Sequence, residues 1–526
     1  MTPDPAEEAS MRSTDPRSAC HRTLVGLLWW LFAACSFSGC SSTPPEARTT
    51  APPAKLIEVP RIWNERDLAE WANPVAGLGV LPDHFSEAEF YAGPVAEWVR
   101  TYPVYFPGRE PQGYWERLQQ TKAEPLITPG PRSEDDWIRA GQRVFEEIDV
   151  PIFRSQDAAL IATMRSREAF EKMGGHPQPD GTVHYLRWVP TAKGLALGVN
   201  DCASCHTRQL PDGTHLNGAP FDADGDGVVG SLVSAGDQRF YGESSGMITW
   251  RSFAVPWLKS DVHAQIKTMN DAQLAELTGA SPPGTFARFN GSPFFTTQVP
   301  DLAGIKDRKY IDHTATHVLR GPEDVARYAI LVSCCDSGGF GPHQMLTPAQ
   351  RRIVYRQTDE LTFALGKYLF SLEPARNPQP PDPRADTGGQ IFTREGCAGC
   401  HTPPLYTSNK LTPATGFTPP ADHPNRADIL NISVGTDAGL ALKTRKGTGL
   451  YKVPSLRGVW YRPLLSHDGS VASLEEWFNP ARLRSDYVPS GFKGYKVAHR
   501  AVPGHEFGLR LSADDKAALI AFLRTL

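Results

Sequence analysis

Two pentapeptides carry the chemistry of this chain, Cys202-Ala-Ser-Cys205-His206 and Cys397-Ala-Gly-Cys400-His401. Both read Cys-x-x-Cys-His, the attachment pattern of c-type haem. Two thiols on one short helical turn match the two vinyl groups along a porphyrin edge. The adjacent histidine then lies beneath the iron as an axial ligand. The spacing therefore predicts two haem c groups, held covalently by Cys202, Cys205, Cys397 and Cys400, with His206 and His401 on the irons. Two other chemistries use a Cys-x-x-Cys pair. A structural zinc site wants four protein ligands, so each pair would need the other pair or histidines to complete it. A thioredoxin-like redox pair expects a βαβ setting, and neither flank reads that way.

Five of the nine cysteines stand outside these motifs. Cys334 and Cys335 are adjacent, and a vicinal disulfide, a long-range partnership and two buried thiols are the three readings of the pair. Cys20, Cys35 and Cys40 belong to the leader. The apolar run 24–34 follows Arg12, Arg17 and Arg22 and has the length of a signal-peptide core, too short to span a bilayer comfortably. Small residues before Cys40 resemble a bacterial lipobox, with Phe37 where leucine is usual, which makes Cys40 the expected lipidation site. The Ser/Thr/Pro/Ala-rich stretch after it reads as a flexible tether over 41–59. A plain cleaved signal peptide is the other reading. Both place the protein in the bacterial cell envelope on the periplasmic side, and the lipobox anchors it to the outer membrane.

The elements that must position the two motifs repeat along the chain. Val299-Pro-Asp-Leu-Ala-Gly-Ile lines up with Val453-Pro-Ser-Leu-Arg-Gly-Val at an offset of 154, His313 falls on His467, and the run 361–372 falls on 515–526. An offset held over 74 residues argues for a duplicated domain. The motifs themselves are 195 apart, so the first copy has 41 extra residues between motif and repeat. Each copy ends in a helix. Ser512 is the expected N-cap of the last one, and Leu519, Phe522, Leu523 and Leu526 make one apolar face, repeated by Leu365, Tyr368, Leu369 and Leu372. These faces are expected to cover haem edges. A Pro-rich linker over 373–387 separates the copies. The expected architecture is mainly α, with haem c domain 1 over 191–375 and haem c domain 2 over 385–526. An aromatic-rich, mostly helical N-terminal region over 60–190, with Trp63, Trp71, Trp98, Trp115, Trp137 and Trp188, precedes them.

Tandem haem domains that close in such helices resemble the dihaem cytochrome c peroxidase superfamily, which includes the MauG-type enzymes and the rubber-oxygenase-like proteins. The most specific stretches are Val453-Pro-Ser-Leu-Arg-Gly-Val-Trp460, Ser466-His-Asp-Gly-Ser470, Leu474-Glu-Glu476, Gly504-His-Glu-Phe-Gly508 and Leu523-Arg-Thr-Leu526. The likeness is clear over 195–210 and 385–526, loose between, and absent before about residue 185. The Gly-His-Glu-Phe-Gly run is closer to the rubber-oxygenase-like branch than to the peroxidases proper. The resemblance implies an oxidoreductase. It also implies a distal glutamate in an Asn-Pro-x-Glu setting after the first repeat, which this chain lacks, so hydrogen peroxide and dioxygen both stand as the oxidant.

A low-spin electron-transfer haem needs a sixth ligand, usually Met or His. None of the seven methionines follows Met345, so a Met ligand on the second haem would have to reach across from there. The histidines after the second motif are His423, His467, His499 and His505. The position of His505 before the closing helix and the resemblance both favour His401/His505 ligation. His499 ranks second, and His467 reads as a contact to an iron ligand or a haem propionate. At the 154-residue offset His505 falls on Arg351, which leaves the first haem without a ligand at that place unless His313, His317, His343 or Met345 fills it. An open distal side is the condition for binding peroxide or dioxygen, and His313, His317 and Glu323 are the candidates for acid–base help there. Asp222, Asp224, Asp226 and Gly227 match the start of an EF-hand loop, but its twelfth position is Val233 rather than Glu, leaving a Ca2+ loop of another type or an acidic surface turn.

Composition sets the outer bounds. With 526 residues, 40% hydrophobic and 21% charged, the chain is globular, and a net charge of −4 does not favour nucleic acid as a partner. Forty-seven prolines predict many loops. Two functions fit: an exported dihaem oxidoreductase, in which the first haem activates peroxide or dioxygen and the second relays electrons, and a non-enzymatic dihaem electron carrier. Either calls for an electron-transfer protein partner or an organic substrate. The length, more than two haems need, favours the enzyme.

Overall fold

The computed structural model describes residues 55–172, 177–221, 238, 242–287 and 291–526. The leader, Cys40, most of the tether and the run Asp222–Gly227 lie outside them. Residues 54–526 form one compact unit.

The architecture is built on two helix pairs. Helix Glu134–Glu147 packs on helix Asp359–Ser371, and helix Ala385–Arg394 packs on helix Ala513–Leu523. Each crossing is made close by a glycine. A Cβ on Gly141 would run into the Ala364 carbonyl and the Tyr368 side chain, and a Cβ on Gly388 would run into the Ala518 carbonyl and the Phe522 side chain. Ala364 and Ala518, like Tyr368 and Phe522, are 154 residues apart. The same offset relates two further contacts. Gly304 donates its N–H to the Leu372 carbonyl at 2.7 Å, and Gly458 donates to the Leu526 carbonyl at 2.6 Å. Both glycines have positive φ, 70° and 76°, and each opens a one-turn 3-10 helix, Ile305–Asp307 and Val459–Tyr461. The capping residues are Ser133, Thr358 and Ser512, each accepting a main-chain N–H three residues on. Run 373–384 has no helix or strand.

The fold is mixed rather than mainly helical, and the N-terminal region shows why. Strands Tyr102–Tyr105, Thr182–Thr191 and Gly194–Val199 form an antiparallel sheet in that order. Val183, Leu186, Trp188, Leu197 and Val199 bury themselves against Phe106, Met164 and Phe170, while Val189 packs on Val99 and Ala196 across the sheet. β-Branched and aromatic residues alternating across two faces favour strand over helix. Ala192 and Lys193 form the tight turn, which Gly194 closes at a φ of 109°. This hairpin lies between helix Glu134–Glu147 and Cys202, whereas only Glu395 and Gly396 separate helix Ala385–Arg394 from Cys397. Trp63, Trp71 and Trp137 are fully buried against Ala326, Ile330, Leu331 and Phe363, so the N-terminal region packs on helices Pro322–Ser333 and Asp359–Ser371. Cys334 and Cys335 are bonded to each other as a vicinal disulfide at the end of helix Pro322–Ser333.

Candidate haem centre

Helix Ala385–Arg394 ends at Gly396, whose φ of 76° lets the chain turn straight into the 3-10 segment Cys397–Gly399. His401 donates its main-chain N–H to the Cys397 carbonyl at 2.8 Å, which places Cys397, Cys400 and His401 on one turn. Neither thiol is in a disulfide. The Nδ1 of His401 faces two carbonyl oxygens, Tyr406 at 3.2 Å and Pro454 at 3.1 Å. Carbonyls only accept, so Nδ1 carries the proton and Nε2 keeps its lone pair, the tautomer a metal ligand needs.

His505 stands opposite. Its ring centre lies 6.2 Å from that of His401, with the planes at 58°. An imidazole nitrogen coordinates a transition metal at ~2 Å and its ring centre lies ~1 Å further out, so two rings on opposite sides of one ion have centres about 6 Å apart. His505 Nδ1 is buried with no hydrogen-bond partner among the described residues. Burial, then His401, pushes the His505 imidazole down to about 4, and burial lowers His401 as well. Both rings are therefore neutral near pH 7. Trp477 and Phe507 pack on the His505 ring at 5.2 Å each.

A cavity of about 420 Å3 has Cys397, Cys400, His401 and His505 in its wall. Leu456, Val459, Leu519 and Leu523 give it an apolar side, so the closing helix does border the cavity. Its other end is basic: Arg308, Lys452 and Arg462 face it with Asp301 as the carboxylate among them. Arg462 pairs with Asp301 at 3.2 Å, and the Tyr461 hydroxyl donates to the same carboxylate oxygen at 2.9 Å. Burial, then Arg308, lowers the Lys452 ammonium, as expected where cations outnumber carboxylates. Two thiols and a histidine on one turn, a second imidazole across an apolar gap and a basic end fit a covalently held haem with its two propionates toward Arg308, Lys452 and Arg462.

The first motif folds into a similar turn, helix Ala203–His206, with the His206 N–H on the Cys202 carbonyl at 3.2 Å. Cys202 and Ala203 pack on a core that includes Leu302, Ile305, Leu365 and Leu369. These four lie 154 residues before Leu456, Val459, Leu519 and Leu523 of the cavity wall. Arg351, at the place corresponding to His505, pairs with Glu89 at 2.6 Å and lies 4.8 Å over the Phe85 ring.

The three acid–base candidates do not meet. His313 lines the basic end of the cavity, buried, with its Nε2 donating to the Gln298 carbonyl at 2.9 Å; burial and then Lys452 push it down to about 3. His317 sits elsewhere, 4.1 Å from the Trp71 ring and 5.8 Å from His84. Glu323 is in the first turn of helix Pro322–Ser333. His467 lines the cavity on the Tyr451 ring at 4.2 Å, with a buried Nε2 that has no hydrogen-bond partner among the described residues. His499 is exposed. His343 lies 5.4 Å from Trp257. Arg308, Lys452 and Arg462 were not legible in the sequence, because a basic residue with no motif around it reads as surface.

No family model matches the chain, and no curated protein is similar to it. Among solved structures, partial likenesses include hydrazine synthase of Kuenenia stuttgartiensis and a MauG-like protein associated with microbial copper homeostasis. The first has a TM-score of 0.27 and 13% identity over 47% of this chain and 77% of that one. The second has a TM-score of 0.28 and 19% identity over 53% of this chain and 87% of that one. At that level of likeness, function rests on the residues of this chain.

Proposed function

We propose that the chain is an exported oxidoreductase carrying two haem c groups in tandem domains, one on Cys202, Cys205 and His206 and one on Cys397, Cys400 and His401. In this reading the second haem relays electrons, the first takes peroxide or dioxygen, and Cys40 anchors the protein to the outer membrane. The observation that carries it is the pair His401 and His505, facing at 6.2 Å across a cavity whose wall holds Cys397 and Cys400. A haem held by both His401 and His505 would have no place left for a substrate and would suit electron transfer. When bound, haem supplies a one-electron centre and, where one axial side is open, a place for a small oxidant.

The chain's own residues do the holding. The Tyr406 and Pro454 carbonyls fix the His401 tautomer. Arg308, Lys452 and Arg462, which line the cavity, would hold the propionates. The helix crossings at Gly141 and Gly388, with partners 154 residues apart, support two copies of one domain. The engagement of Arg351 with Glu89 supports a first haem open where the second is closed. The Gly504–Gly508 run favours the rubber-oxygenase-like branch for this domain pair.

Intact-mass measurement of the purified exported chain tests the cofactor, with two covalent haems expected per chain. Rapid mixing of the fully loaded protein with peroxide or dioxygen tests the reaction. A chain without covalent haem would end this reading. A loaded chain inert to both oxidants in every redox state would leave the electron carrier in its place.

A further inference from the structure

The loop that presents His505 is in a conformation its own residues do not favour. Gly504 has a φ of 76°, and any Cβ there would run into the backbone of Gly435 and Thr436. His505 itself has a φ of 44°, in the left-handed region that a non-glycine residue enters only when its surroundings hold it. What holds it is Arg482, in the turn Pro480–Leu483 and 0% exposed. Its Nε donates to the Trp477 carbonyl at 2.9 Å, and its Nη1 donates to the Val502 carbonyl at 2.5 Å. Its Nη2 donates to the carbonyls of Gly504 and His505, both at 2.9 Å. The loop answers with the Val502 N–H on the Arg482 carbonyl at 2.7 Å. The guanidinium lies 5.0 Å over the Trp477 ring, the same ring that packs on His505.

All four acceptors are neutral. Among the described residues no carboxylate forms an ion pair with Arg482, whereas the buried Arg327 pairs with Asp324 and Asp67 and the mostly buried Arg500 pairs with Asp468. A buried guanidinium without a carboxylate is uncommon. Here the fork matches a set of carbonyls that only a folded His505 loop brings together. No carboxylate among the described residues is bonded to it, and Glu506, the residue after His505, acts on its charge through space.

We infer that Arg482 is the positioning residue that holds His505 as the sixth ligand of the second haem, and that its charge raises that haem's reduction potential. The inference rests on the haem reading of Cys397, Cys400, His401 and His505. A fixed positive charge near the iron favours the reduced form, which carries one positive charge fewer.

Three variants of the full-length holoprotein, R482K, R482M and H505G, test it by EPR and potentiometric titration. R482K keeps a charge and loses the fork. Part of its low-spin signal should convert to high-spin, imidazole should restore it, and the midpoint potential of the low-spin fraction should stay near that of the parent. R482M should lose more of the low-spin signal, and its remaining low-spin haem should titrate at a lower potential. If R482M does not accumulate with covalent haem, R482K alone decides the positioning role. Parent-like spectra and potentials in both Arg482 variants, with H505G turned high-spin, would overturn the inference and leave the haem reading standing. A spin change in R482M with no change of midpoint would overturn the electrostatic half. An H505G variant that keeps the parent low-spin signal would overturn the ligand reading and the inference together.

Discussion

Around Cys397, helices 385–394 and 513–523 leave a cavity between two facing histidines. Around Cys202, helices 134–147 and 359–371 cross in the same way, through a glycine against the carbonyl of an alanine. There the corresponding apolar residues close on the motif, and the place of His505 belongs to Arg351, tied to Glu89 of the N-terminal region. The approach to the motif differs too. Only Glu395 and Gly396 separate helix 385–394 from Cys397, while a β-hairpin separates helix 134–147 from Cys202. One packing solution thus recurs beside two Cys-x-x-Cys-His turns whose surroundings differ. The helix pair decides where the cysteines and the first histidine go. The loops after the 154-residue repeat decide what stands at the place of His505, an imidazole facing His401 in one copy and an arginine paired with Glu89 in the other.

The comparison can be broken most severely by removing one attachment site at a time. C397A/C400A should leave one covalent haem per chain and remove the low-spin signal assigned to the second site. C202A/C205A should also leave one haem and keep that signal. Intact mass and EPR read both, and identical spectra from the two double variants would erase the asymmetry. A narrower change is R351A set against H505G. H505G should open the second haem, and R351A should leave both haem spectra as they are, because its guanidinium is engaged with Glu89. The crossings themselves predict a matched effect. G141A and G388A each force a methyl group into a helix carbonyl and should each cost about 1–3 kcal/mol, seen as lower thermal midpoints of the holoprotein. A large cost at one and none at the other would show that the two pairs are not equivalent.

The smallest effect concerns the contact between the repeats. Asp428 accepts hydrogen bonds from Lys309, from the Tyr310 hydroxyl at 2.6 Å and from Lys410 at 3.1 Å. Burial raises its carboxyl, but these donors outweigh burial and bring it down to about 2. Because the folded value lies below the unfolded one, near ~4, the contribution is complete above that pH and fades as pH falls toward about 2. The thermal midpoint of D428N should trail the parent at neutral pH and meet it in acid.

Much of this was legible in the sequence because it is local or repeated. Cys-x-x-Cys-His is a single turn, and the 154-residue offset survives in Gly304 and Gly458 because each must adopt positive φ and donate to the end of its closing helix. Ser512 and the apolar face from Leu519 are set by helix periodicity. The sheet over 102–199 was not legible, because its first strand is nearly eighty residues from the hairpin it pairs with and the strands gain their burial only on pairing. Arg308, Lys452 and Arg482 were not legible either. The role of each comes from acceptors or a cavity supplied by distant segments.

The central claim, one haem closed by His505 and one open, is tested most directly by low-temperature EPR of the as-isolated holoprotein with its optical spectrum. The account predicts a low-spin ferric signal from the His401/His505 site together with a high-spin ferric signal from the His206 site. Two low-spin signals that persist through partial reduction would contradict it, and a ligand would then have to be found opposite His206.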